Sequence, residues 1–152
     1  MQQEKSIFTW HTYSDHLKSM LKSWMMNEDF YDVTLVSQDK KHIKANLSVL
    51  SSCSPVFKDI LHKEKKSSPI IYLRGIQFYE IESIIQFIYL GEATISEERM
   101  DEFLAVAKSL EIGELCNAKS ETYLEPKTNK TKYFVLRLYD EVCYALRMLR
   151  ML

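Results

Sequence analysis

Histidine and cysteine are the side chains best suited to ligate a metal or attack a substrate, and this chain spaces them for neither. His11, His16, His42 and His62 include no His-Glu-x-x-His arrangement, and no third ligand stands beside His11 and His16. A structural zinc site needs four such ligands and a catalytic one at least three. Cys53, Cys116 and Cys143 are odd in number and far apart, which fits free thiols in a reducing compartment. Cys53 lies in Ser-Ser-Cys-Ser-Pro with no base beside it, so a buried structural thiol is expected rather than a nucleophile. Glu97-Glu98 and Asp101-Glu102 read as exposed helix charges, not as an acid–base pair. With only three glycines, a phosphate-cradling glycine-rich loop is excluded. The chain is expected to be no enzyme and to carry no cofactor or metal.

The elements around these residues are those of a packed domain. A length of 152 residues allows one core with an appendage, and 46% hydrophobic and 12% aromatic residues exceed what disorder tolerates. Basic and acidic side chains number 20 and 21, so the near-neutral chain offers no electrostatic footprint for nucleic acid. The opening Met1 to Lys5 lacks the apolar run of a signal peptide. Arg137, Asp140, Glu141, Arg147 and Arg150 interrupt the apolar C-terminal segment, which argues against a membrane span. A soluble, intracellular protein is expected.

Ile7 to Trp10 is a β-prone run, expected as an N-terminal edge strand. Tyr13, Leu17, Met20, Leu21, Trp24 and Met25 recur at helical spacing. That wide stripe fits either plain core packing or a helix half-buried in a subunit interface. Val33 and Leu35 alternate with polar neighbours, Gln38-Asp39-Lys40 is turn-like, and His42 to Ala45 returns as the second strand of a hairpin. Asn46 is placed to cap a short helix carrying Leu47, Val49 and Leu50, and Ser54-Pro55 starts another with Phe57, Ile60 and Leu61 facing inward.

Ile70 to Leu73 is a third strand, and Phe78, Ile81, Ile84, Ile85, Ile88 and Tyr89 line a helix that Gly91 stops. A short strand over Glu92 to Ile95 precedes a helix capped by Ser96 and buried through Met100, Phe103, Leu104, Ala107 and Leu110. The polar stretch 119–131 reads as a linker, and 132–152 as an amphipathic C-terminal helix.

Taken in order, Asp32-Val-Thr-Leu35, Val49-Leu50, Cys53-Ser54-Pro55, Phe57, Phe87-Ile88-Tyr89 with Gly91, and Leu104-x-x-Ala107 to Leu110 resemble the BTB/POZ domain. The opening Ile7 to Leu17 is similar to the N-terminal extension of its arthropod Tramtrack-type group. The resemblance implies an α+β fold, a helical cluster flanked by short strands, over residues 1–118, with the C-terminal helix as an addition.

It also implies a protein–protein interaction module that homodimerises or multimerises and pairs with related BTB proteins. The implied setting is a transcriptional regulator, nuclear with a cytoplasmic pool as the variant, with DNA contacted through another module or partner. Corepressors and cullin-3 are the further partners the family suggests, a cullin-3 ubiquitin-ligase adaptor being the alternative function. The loop His62 to Pro69 lacks the hydrophobic-x-Glu signature of those adaptors.

By the same resemblance the dimer interface comprises Phe8, Trp10, Tyr13, Leu17, Met20, Leu21 and Trp24. An interface pocket falls at Asp32, Asn46 and Leu47. Many members carry Ala-His-Lys/Arg where this chain has Ala45-Asn46-Leu47. Asp32 must therefore find a partner other than a basic side chain or face solvent.

Overall fold

A computed structural model describes residues 6–63, 68–116 and 133–137. Helix α1 (Tyr13–Met26) is followed by a 3-10 turn (Glu28–Phe30), strands β1 (Val33–Val36) and β2 (His42–Ala45), and helices α2 (Leu47–Cys53) and α3 (Pro55–Lys63). Strand β3 (Ile70–Tyr72), helix α4 (Phe78–Leu90), strand β4 (Glu92–Ser96) and helix α5 (Met100–Ser109) come next. A 3-10 turn (Gly113–Cys116) and strand β5 (Tyr133–Arg137) follow. The architecture is α+β, as the resemblance implied: helices dominate and two small sheets flank them.

The first sheet has the order β2-β1-β3, with β1 antiparallel to β2 and parallel to β3. Alternation in β1 sends Val33 and Leu35 into the core. Helix α4 forms the centre, with Ile81, Ile84, Ile85, Phe87, Ile88 and Tyr89 all buried. Each such side chain contributes roughly 1.5–3 kcal/mol relative to exposure. Phe87, outside the expected stripe, meets Phe103 of α5 edge-on at 6.4 Å. Helix α1 packs on α4, and Leu21, Trp24 and Met25 cover the core from that side.

Helix ends follow the sequence in part. Gly91 adopts φ 73° and returns its N–H to the Phe87 carbonyl, ending α4 as expected. Ser54 Oγ accepts from Phe57 N–H at 3.1 Å and donates to the Leu110 carbonyl at 2.5 Å, so one hydroxyl caps α3 and ties it to α5. Ser96 does not cap: it closes β4, and a 3-10 turn (Glu97–Arg99) intervenes before α5.

Two terminal expectations are corrected. Residues 6–10 form no strand, because a strand needs a neighbour for its peptide groups and none of the described residues supplies one. Tyr133–Arg137 is a strand rather than the start of a helix, antiparallel to β4 from Glu92↔Arg137 to Ser96↔Tyr133. The aromatic and β-branched run Tyr-Phe-Val suits a ladder, and pairing with a distant strand overrides helical spacing. The expected linker over 119–131 and the remainder of the expected helix, 138–152, lie outside the described residues.

Candidate protein-interaction site

The expected interface residues separate into an outer and an inner set. Ile7 and Phe8 are 92% and 96% exposed, and Trp10 and Tyr13 are also exposed. The Trp10 ring lies 5.3 Å from Tyr13 and 4.7 Å from His16, and its indole N–H donates to Thr12 Oγ1 at 2.9 Å. These contacts give an apolar arm a fixed root on the first turn of α1. Met20, Leu21 and Trp24 are half-buried, with the Trp24 ring tilted against Phe30 at 5.7 Å between centroids. Leu17, by contrast, is only 4% exposed and belongs to the interior of its own chain.

Asp32, Asn46 and Leu47 do come together, and of the three only Asn46 departs from its expected local role. Asn46 does not cap α2 through its side chain, because that side chain is committed elsewhere. It is 4% exposed; its Nδ2 donates to the Phe30 carbonyl, and its Oδ1 accepts from the Tyr89 hydroxyl at 2.5 Å. The Asn46 backbone N–H donates in turn to Tyr89 Oη at 2.8 Å. One buried phenol therefore accepts and donates, leaving no orphaned polar atom in the network.

The cap passes to Asp32, whose exposed carboxylate accepts from Leu47 N–H at 2.5 Å through Oδ1. A negative charge on the positive end of α2 suits both the unpaired amides and the helix dipole. The Asp32 N–H donates to the Ala45 carbonyl at 3.1 Å, which fixes the carboxylate over the helix start. Asp32 has thus found its partner in a main-chain amide, with no basic side chain required.

Tyr89 carries this site although spacing marked it only as a core position. The signal available in sequence was its hydroxyl, since a buried tyrosine must satisfy that group. Burial pushes its phenol above the ordinary 10.0, while the bond from Asn46 N–H works in the opposite direction. Burial likewise raises the Cys53 thiol, so this half-buried cysteine stays protonated and a poor nucleophile. Among the described residues no group of three His, Cys, Asp or Glu side chains is placed to hold a metal ion. None of the described helices is long and apolar enough to cross a membrane.

Comparison with known proteins fits this geometry. The BTB/POZ domain family model matches residues 21–126. The alpha isoform of Protein tramtrack of Drosophila melanogaster is 33% identical over 112 residues, covering 74% of this chain and 14% of that protein. Sex determination protein fruitless of the same organism is 32% identical over 114 residues, covering 75% and 12%. The chain thus spans 12–14% of the length of these relatives.

Among solved structures, the BTB domain of human gigaxonin superposes with a TM-score of 0.66 at 22% identity, covering 76% of this chain and 95% of that one. That likeness supports the fold. The family match over most of the chain, joined to relatives above 30% identity, establishes that the chain belongs to the BTB/POZ domain family.

Proposed function

We propose that this chain is the self-association module of a nuclear transcriptional regulator, forming a homodimer and pairing with related BTB proteins. DNA contact would come from another module or partner, since the chain's near-neutral charge gives no electrostatic reason for it to bind nucleic acid alone. BTB/POZ domains are protein–protein interaction modules, and the likeness to Protein tramtrack and fruitless supports a regulatory setting.

The observation that carries the reading is the N-terminal arm. Ile7, Phe8 and Trp10 are exposed, β-prone and without a sheet partner among the described residues, yet they are rooted on α1. Apolar side chains displayed together on a tethered segment gain by burial against another molecule. Asp32 supports the same reading from the other direction. Its carboxylate is engaged by the start of α2, so association through apolar surface suits this chain better than recognition through a charged pocket.

Light scattering on the full chain at tens of micromolar tests the proposal. A mass of at least two chains is expected, and a monomer throughout the range contradicts it.

A further inference from the structure

The free edge of β3 has properties that the arm does not explain. Thr34 N–H donates to the Pro69 carbonyl at 3.0 Å, and Leu73 N–H donates to the Val36 carbonyl at 2.8 Å. Residues 69, 71 and 73 therefore direct their peptide groups toward β1. In a ladder that alternates residue by residue, those of Ile70 and Tyr72 point the other way, toward the open edge. The sheet order β2-β1-β3 leaves that edge unpaired among the described residues. The same two residues also display their side chains, Ile70 at 72% and Tyr72 at 53% exposure, while Ile71 between them is buried. Edge strands are normally blunted by charge, proline or a bulge, and Ile70-Ile71-Tyr72 has none of these within it.

We propose that this edge pairs with β3 of a second copy, joining two three-stranded sheets into one across a two-fold axis. The geometry is self-complementary. Laid antiparallel with Ile71 on the axis, Ile70 of one copy faces Tyr72 of the other, and the reverse pair forms at the same time. Each pair exchanges N–H···O=C bonds in both directions, using the peptide groups that face outward. Each also sets a β-branched side chain beside an aromatic one on the exposed face, a favourable cross-strand combination. The strand itself carries no charge, so no like charges within it oppose each other across the axis.

Identical patches meeting on a two-fold axis make an isologous contact that closes on itself. Three-residue strands give a short contact, suited to joining pairs that the arm has already formed into larger assemblies. In that respect the inference rests on the proposed self-association, but it concerns a separate surface and fails separately.

Register-specific cross-linking is the test. Full-length Ile70→Cys and Tyr72→Cys proteins are oxidised alone and as an equimolar mixture, with the parent chain and its own cysteines as background. The paired positions lie about 5.5 Å apart at Cα, within disulfide reach, whereas Ile70 to Ile70 and Tyr72 to Tyr72 are offset by two residues. The mixture is expected to give a covalent dimer at least fivefold above either protein alone.

Sedimentation velocity supplies the second arm. Ile70→Lys with Tyr72→Lys, both at exposed positions, is expected to keep the far-UV spectrum and lose the species larger than a dimer. A mixture that cross-links no better than its components overturns the inference, including the case in which another segment occupies the edge. An unchanged mass distribution in the double-lysine protein also overturns it. A stable dimer persisting through either failure leaves the arm-mediated reading intact.

Discussion

The reassignment of helix capping from Asn46 to Asp32 sets the chemistry of the site. Removing the carboxylate in Asp32→Ala leaves the Leu47 amide without its partner. Stability should fall by about 0.5–2 kcal/mol, with Asp32→Asn retaining part of the cap. Denaturant midpoints of the three proteins check this, and equal midpoints would mean the bond contributes nothing. Tyr89→Phe deprives both Asn46 Oδ1 and the Asn46 N–H of their partner and should cost about 1–3 kcal/mol near neutral pH.

That cost depends on pH in a definite direction. Below 10.0 the phenol is protonated in both states; above it the unfolded chain ionises while buried Tyr89 holds its proton. The unfolded state then binds fewer protons, so the stability from Tyr89 is lost as pH rises above about 10. The gap between the parent protein and Tyr89→Phe should narrow over that range, and a constant gap would refute the assignment. None of this was legible locally. Asp32 reaches the amide of a residue fifteen positions on. Tyr89 reaches across forty-three to Asn46, and spacing rules see only neighbours.

Elements were legible where their causes lie within them. Helix α4 declares itself by isoleucines at helical spacing and by Gly91 at its end. With φ at 73°, Gly91→Ala should cost about 1–2 kcal/mol in thermal unfolding. Strand β5 was misread because its partner is β4, about forty residues earlier, and helical periodicity within the segment carries no trace of it. Helix α1 was read correctly as a helix, but its apolar stripe could not reveal which side chains serve the protomer. Leu17 does so. Leu17→Asp should therefore unfold the chain, at about 3–5 kcal/mol for an unpaired buried charge, before it reports on association. Circular dichroism separates the cases: a folded Leu17→Asp protein would place that residue outside the core.

At the scale of the whole molecule, the motif series gave the fold because a BTB/POZ core packs its identifying residues into β1 and helices α2 to α5. Association is a different kind of property. It depends on what the folded chain leaves uncovered, and Ile7, Phe8 and Trp10 differ from the core side chains in staying exposed. Substitution in the arm therefore probes assembly without opening the interior, since exposed positions away from packed features change stability by about 0.5 kcal/mol or less.

The most direct measurement is sedimentation equilibrium of the full chain beside Phe8→Asp with Trp10→Asp. The parent is expected to sediment as a dimer or larger, and the substituted protein to shift to a folded monomer at the same concentration. Equal masses for the two proteins would contradict self-association through the arm.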